Sequence, residues 1–424
     1  MKEHETHVTR AWVLHPDIKS DYDRRAPGPA LEEAIALAAA LPDLEVAGAE
    51  VVRLPKAQPG KLFGKGKIEE LKGRIEGADV ELVLVDGHVT PVQQRNLEKE
   101  WGVKLLDRTG LILEIFSDRA ATREGVLQVE MAALSYQRTR LVRAWTHLER
   151  QRGGLGFVGG PGETQIEADR RAIDDQLVRL RRQLDKVVKT RDLHRKARAK
   201  VPFPIVALVG YTNAGKSTLF NRLTGADVMA KDMLFATLDP TMRAVELENG
   251  LEVILSDTVG FISDLPTELV AAFRATLEEV LAADVICHVR DIAHDGTEEQ
   301  AADVRAILGG LGVPESTPQL EIWNKIDRLP DDEREALLTR AARNDAIVPM
   351  SAVTGEGMDV FLAAVTRALD AEKHDVDLVL GYDQGRKRAW LFERGLVTAE
   401  DQTEEGYALR ISWTRKQEAQ FARL

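Results

Sequence analysis

Residues 210–217 read Gly-Tyr-Thr-Asn-Ala-Gly-Lys-Ser, and the elements predicted on either side indicate the fold class. The apolar run at residues 205–209 predicts a buried strand before it, and residues 217–223 predict a helix after it. A strand, a glycine-rich turn and a helix in this order are typical of a phosphate-binding loop, because the loop amides and the helix N-terminus offer N–H donors to an anion.

The residues of this loop are therefore candidates for holding a nucleotide. They are Gly210, Tyr211, Thr212, Asn213, Ala214, Gly215, Lys216 and Ser217. The two flanking glycines let the backbone approach the phosphates closely. Lys216 is expected to reach the β- and γ-phosphates as a catalytic residue, and the Ser217 hydroxyl is expected to bind Mg²⁺.

A second motif, Asp257-Thr258-Val259-Gly260, ends the apolar run at residues 251–256. We expect the Asp257 carboxylate to hold Mg²⁺ through water and the Gly260 amide to donate to the γ-phosphate. An Asp-x-x-Gly pattern alone is common. Its position about 40 residues after Lys216 is what indicates a nucleotide-binding motif.

Two further motifs select the base. Asn324-Lys325-Ile326-Asp327 follows a probable strand, and Ser351-Ala352-Val353 follows another. A carboxylate at Asp327 can accept hydrogen bonds from N1–H and the exocyclic amine of guanine, a donor pair that adenine lacks. The backbone amides of the last motif would face the guanine oxygen. Four motifs in this order predict a GTPase with GTP as substrate.

The segment between the first two motifs predicts a switch loop that responds to the γ-phosphate. Its candidate binding residues are Phe235, Ala236, Thr237, Leu238 and Asp239. Thr237 is favoured as the catalytic and Mg²⁺-binding threonine, with Thr241 as the alternative. Asn249-Gly250 then predicts a hairpin between two antiparallel strands.

Phe261 occupies the position where many signalling GTPases carry the glutamine that orients the attacking water. Phenylalanine cannot do this, so we expect slow hydrolysis unless a partner or an ion assists. Asn213 suggests K⁺ as that ion; the alternative is that Asn213 only stabilises the turn of the loop.

The chain resembles the HflX family of ribosome-associated GTPases over nearly its whole length. The matching segments are residues 107–116, 123–130, 156–165, 169–171, 210–217, 235–241 and 257–262. Met242 and Val353 depart from the usual pattern, but both are apolar. The resemblance implies that the GTP form binds the large ribosomal subunit and its rRNA, and that it can split stalled ribosomes.

The charge is unevenly distributed along the 424 residues. The net charge is −12, yet residues 138–200 contain 17 Lys and Arg against 8 Asp and Glu. This asymmetry predicts a basic arm directed at phosphate and an acidic body. One cysteine, no signal-peptide pattern and no apolar run long enough to span a bilayer predict a cytoplasmic protein without a membrane-spanning segment.

The predicted fold class is α/β, with four domains. Residues 1–119 alternate strand and helix patterns, which favours a mostly parallel sheet. Residues 120–200 predict an antiparallel helical hairpin, a short coiled coil with a glycine-rich tip. Residues 201–371 form the GTPase domain, and residues 372–424 predict a small α+β module. We expect a monomer.

Two other functions stay open from the sequence. One is a GTPase in ribosome biogenesis or RNA modification. The other is a nucleotide-driven RNA-binding or RNA-unwinding protein. Lys65 and Lys67, in a Gly-Lys-Gly-Lys stretch before a predicted helix, could hold an anion, or the stretch could be only a flexible loop at a helix start. The family resemblance implies a second nucleotide such as ATP in this region.

Overall fold

A computed structural model gives the architecture of most of the chain. It describes residues 7–21, 24–151, 161–198, 203–226, 234–235, 241–247, 250–263, 279–369, 374–403, 406–413, 417–418 and 421–422. Only the backbone is described at residues 141–151, 161–166, 190–198 and 374. The glycine-rich tip, residues 236–240 with Thr237, and residues 264–278 lie outside the described residues.

The N-terminal region is a four-stranded parallel sheet in the order β2-β1-β3-β4, covered by helices. Its strands are β1 (Thr9–Ile18), β2 (Leu44–Leu54), β3 (Leu82–Val85) and β4 (Lys104–Asp107). Its helices are α1 (Pro27–Ala39), α2 (Lys65–Gly77), α3 (Pro91–Trp101) and α4 (Arg108–Arg119). The alternation of strand and helix leaves apolar residues on both faces of the sheet, as parallel strands require.

Two long helices follow, α5 (Arg123–Gln151) and α6 (Pro161–Arg198). Leu180 is buried between them, and Arg138 of α5 pairs with Asp174 of α6 at 2.8 Å. Val126, in the first turn of α5, is 46% exposed.

A six-stranded sheet in the order β10-β9-β8-β5-β7-β6 carries the four nucleotide motifs. The strands are β5 (Ile205–Gly210), β6 (Thr241–Glu246), β7 (Glu252–Asp257), β8 (Val285–Asp291), β9 (Gln319–Asn324) and β10 (Ile347–Pro349). The described helices are α7 (Lys216–Thr224), α8 (Thr297–Leu311), α9 (Asp331–Ala341) and α10 (Met358–Leu369). The edge strand β6 is antiparallel to β7, as the Asn-Gly turn predicts, and the other pairs are parallel.

The described part of the C-terminal region contains a three-stranded antiparallel sheet and a helix of nine residues. It contains β11 (His374–Leu380), α11 (Gly385–Glu393), β12 (Val397–Thr403) and β13 (Gly406–Trp413), and β13 lies in the middle. The predicted fold class is confirmed. None of the helices in the described part of the chain combines the length and apolarity needed to cross a bilayer.

A buried ion network lies at the carboxyl end of the N-terminal sheet. Asp86, just after β3, accepts hydrogen bonds from His15 (2.8 Å), Arg25 (3.0 Å) and Arg108 (2.5 Å). Burial by itself would raise the pKa of Asp86, but the His15 bond and the charges of Arg108 and Arg25 lower it to about 2. Because the folded pKa lies below the ordinary value of 3.8, the stabilisation is present above pH 3.8 and is lost as the pH falls toward 2.

Replacing Asp86 by Asn should lower the local free energy of opening of the N-terminal sheet by about 3 kcal/mol. The reason is that Arg108 and Arg25 would lose the carboxylate that compensates their charge. Hydrogen exchange of β1 and β3 amides, followed by mass spectrometry, measures the local free energy of opening. Glu69→Gln, on the exposed side of α2, is the control and should change it by less than about 0.5 kcal/mol. Equal protection in Asp86→Asn and the control would contradict the role of the network.

Candidate nucleotide site

The phosphate loop connects β5 to α7 in a conformation that its glycines permit. Gly215 has φ +96°, and a Cβ there would lie 2.2 Å from Nδ2 of Asn324. Gly210 has φ +151°, and a Cβ there would lie 2.1 Å from the carbonyl oxygen of Val289 on β8. Asn213 also adopts a left-handed conformation, with φ +58°. Larger residues at the two glycines would therefore push the loop off the sheet.

Lys216 is buried at the start of α7. Its ammonium group donates to the carbonyl oxygens of Gly210 (3.0 Å) and Tyr211 (2.8 Å). Burial lowers the pKa of Lys216 to about 8, and the negative charge of Asp257 opposes this change. An anion beside Lys216 would favour its charged form, so the phosphate groups of a nucleotide fit this position.

The Asp257 motif approaches the phosphate loop directly. A Cβ on Gly260 would lie 2.7 Å from Cγ2 of Thr212 and 3.1 Å from Nζ of Lys216. The Phe261 amide donates to the Gly210 carbonyl at 3.1 Å, and the Thr212 amide donates to the Phe261 carbonyl at 2.7 Å. Two backbone hydrogen bonds thus hold the segment that begins at Gly260, called the second switch from here on, against the loop.

The residues present fit a magnesium ion. The Ser217 hydroxyl donates to the Asp257 carboxylate at 2.7 Å, and Asp257 is fully buried at the end of β7. A hydroxyl and a carboxylate side by side are hard oxygen ligands of the kind Mg²⁺ prefers. Ser217 would bind the ion and Asp257 would orient its water ligands.

Asn324 joins the base-binding motifs to the phosphate loop. Its Nδ2 donates to the Ala214 carbonyl at 2.8 Å, and its Oδ1 accepts from the Ala352 amide at 2.9 Å. Asp327 lies in the 3-10 turn Ile326–Arg328 and is exposed, so its carboxylate is accessible to a base.

Three contributors to the site were not predicted from the sequence. Asp291, at the end of β8, accepts a hydrogen bond from Lys325 at 2.7 Å and orients that lysine. Arg222 of α7 donates to carbonyls of the 351–355 loop. Glu33 of α1 accepts from the Tyr211 hydroxyl. Asp291 could have been found, because a carboxylate that ends a central strand is the same signal as Asp257.

The N-terminal region contacts the site through Tyr211 and the second switch. The Tyr211 hydroxyl accepts from the Ser263 amide at 2.5 Å and bonds Glu33, so its side chain faces α1 and only its backbone belongs to the phosphate loop. Arg108 of α4 donates to the Ser263 carbonyl at 2.7 Å. Phe261 is 1% exposed and belongs to the same apolar core as Phe116 of α4.

A parallel sheet with this loop, and with the four motifs at the carboxyl ends of its strands, defines a P-loop GTPase. Family models match consecutive parts of the chain: "GTP-binding GTPase N-terminal" at residues 29–117, "GTP-binding GTPase Middle Region" at 119–198, "50S ribosome-binding GTPase" at 205–325 and "HflX C-terminal domain" at 336–424. The chain belongs to the HflX family of GTPases and is a GTP hydrolase.

Relatives named GTPase HflX match most of the chain. The one from Magnetococcus marinus is 50% identical over 379 residues, covering 89% of this chain and 85% of its own length. The one from Escherichia coli is 44% identical over 356 residues, covering 83% and 82%. A solved structure, a GTP-binding protein from Sulfolobus solfataricus in complex with GDP, is 22% identical with a TM-score of 0.45, covering 85% of this chain and 98% of that chain.

Replacing Asp327 by Asn should lower GTP affinity about a hundredfold, because two hydrogen bonds to a charged acceptor are lost. Affinity for xanthosine triphosphate should rise, since an amide can donate to the extra oxygen of xanthine. Competition against a fluorescent nucleotide measures both constants. Asp332→Asn in α9 is the matched control and should leave both unchanged. An unchanged preference for guanine over xanthine in Asp327→Asn would show that this carboxylate does not bind the base.

Proposed function

We propose that this GTPase binds the large ribosomal subunit in its GTP form and splits stalled ribosomes. The observation that carries the proposal is the packing of the switch residues against the helix that leads into the basic arm. In this proposal, residues 1–119 couple the nucleotide site to the arm and residues 120–200 contact RNA. Residues 201–371 hydrolyse GTP, and residues 372–424 dock on the ribosome. The protein acts as a monomer in the cytoplasm, where ribosomes are.

The arm has the length and charge for reaching ribosomal RNA. The 38 residues of α6 extend about 57 Å as a continuous helix. Arg170, Arg171, Arg179, Arg181 and Arg182 are exposed along it. Phosphate groups of RNA attract such a row of arginines, and the glycine-rich sequence at residues 152–162 suits a tip that follows an irregular RNA surface.

The coupling between nucleotide and arm starts at Phe261. When a γ-phosphate draws the Gly260 amide toward it, Phe261 and Ser263 must move with the chain. Phe261 packs in the core that contains α4, and Ser263 accepts from Arg108, the first residue of α4. A change at the second switch therefore acts on α4 directly.

The base of the arm is tied to the same place. Asp107, which caps α4 by accepting from the Gly110 amide at 2.9 Å, also accepts from Tyr136 (2.5 Å) and Arg140 (3.0 Å) of α5. A movement of α4 would change the direction of α5. Ribosome binding that needs one direction of the arm would then depend on GTP.

The hydrolysis step is attack of water on the γ-phosphate in line with the leaving oxygen. Lys216 neutralises charge that develops on the phosphate oxygens, and the Gly260 amide donates to one of them. Ser217 and Asp257 would hold Mg²⁺ beside these groups, and the ion would supply further neutralisation of phosphate charge. Phe261 is buried and positions no water, so the basal rate is slow and the ribosome stimulates it.

Intact ribosomes incubated with the protein and a non-hydrolysable GTP analogue should separate into subunits on a sucrose gradient, whereas GDP should leave them intact. Arg181→Gln/Arg182→Gln should reduce binding about tenfold and weaken its salt dependence, because phosphate contacts are lost. Arg343→Gln/Arg367→Gln removes two exposed charges outside the arm and should bind normally. Binding that depends on neither the nucleotide nor the arm charges would contradict the proposal. Intact ribosomes that stay intact with the GTP analogue would contradict splitting and favour the biogenesis role.

Turnover in K⁺ buffer should exceed turnover in Na⁺ buffer if Asn213 helps to hold K⁺. Asn213→Gly retains the left-handed turn and removes the side chain, so it separates the two roles of this residue. We expect this variant to bind GTP normally and to lose the K⁺ effect, while Asn213→Asp keeps it. Equal turnover of the wild-type protein in both buffers would exclude the ion and leave Asn213 as a turn residue.

A further inference from the structure

We propose that Arg222 is a positioning residue for guanine selectivity: it holds the 351–355 loop so that the Val353 amide faces the base. The inference rests on the proposed base-binding role of this loop. Arg222 lies on α7, outside the four motifs, and it connects the base-binding loop to the helix that begins at the phosphates.

One guanidinium group satisfies three successive carbonyl oxygens. Nη1 of Arg222 donates to Ala352 at 3.3 Å and to Val353 at 2.7 Å, and Nη2 donates to Thr354 at 3.0 Å. The planar fork of arginine offers several donors in fixed directions, which lysine cannot reproduce. The three carbonyls are therefore held on one side of the loop.

The amides of the same peptide bonds must then face the other way. A trans peptide places its N–H opposite its C=O, and the described chain contains no cis peptide bond. Because the Ala352 carbonyl points at Arg222, the Val353 N–H points away from it. The Ala352 amide already donates to Asn324 Oδ1 at 2.9 Å, which leaves Val353 as the donor best oriented for the oxygen at position 6 of guanine.

Among the side chains of the loop, Ser351 contributes through its Oγ, which accepts from the Thr354 amide at 3.1 Å. Val353 is 70% exposed and packs against little. Gly355 has φ +89°, and a Cβ there would lie 2.2 Å from Nη2 of Arg222, so the guanidinium fills the space beside the turn. The loop conformation thus depends on the contact with Arg222 together with the buried Ser351, whose carbonyl accepts from the Gly355 amide at 2.8 Å.

The test compares GDP with 6-thio-GDP, in which a weaker acceptor replaces the oxygen at position 6. Arg222→Met retains the stem without donors and should weaken GDP about tenfold, mainly through faster dissociation. It should weaken 6-thio-GDP about twofold, because the lost contact is to the replaced atom. Gly355→Ala, which pushes into the guanidinium, should give the same difference between the two nucleotides.

Arg328→Met, an exposed arginine beside the base-binding motif, is the control and should bind both nucleotides like the wild-type protein. If Arg222→Met weakens GDP and 6-thio-GDP by the same factor, or weakens neither, Arg222 is only a surface contact. If the wild-type protein binds GDP and 6-thio-GDP equally well, the loop does not contact the oxygen at position 6, and the proposed base-binding role of the loop is wrong whatever Arg222 does. The experiment uses no ribosomes, so its outcome is independent of the proposed ribosome splitting.

Discussion

Two backbone hydrogen bonds between the phosphate loop and Phe261 join the nucleotide site to the N-terminal region. They place Gly260 within reach of Lys216, where a γ-phosphate would lie. They also fix the Phe261 ring in the core that α4 shares. A single short segment therefore belongs to the nucleotide site on one side and to the N-terminal region on the other. The absence of a glutamine after Gly260 has a structural reason: that position is used for packing.

A cluster of ion pairs lies where the N-terminal region contacts the second switch. Arg108 is buried, pairs with the buried Asp86 and the half-buried Glu33, and also donates to the Ser263 carbonyl. Buried ion networks contribute little net stability, but they allow few alternative arrangements. The interface between the N-terminal region and the switch is thus specified by directional bonds as well as by apolar contact. Exposed basic residues of the arm remain available for RNA.

Much of the architecture could be predicted from local sequence. The order of strands and helices, the Asn-Gly hairpin and the position of each motif at a strand end follow from apolar periodicity and turn residues. The contacts between distant parts of the chain could not be predicted. Glu33 and Tyr211, for example, are 178 residues apart, and no sequence pattern links the two. Arg222 was missed for the same reason, since an arginine on a helix carries no sign of the loop it contacts.

In the proposed coupling, the γ-phosphate acts on the arm through α4. Hydrogen exchange of the full-length protein measures this effect at the level of single helices. With a non-hydrolysable GTP analogue in place of GDP, amide protection should change at residues 260–263, in α4 and in the first turns of α5. A change confined to the phosphate loop and the second switch, with identical exchange in α4 and α5, would contradict the account.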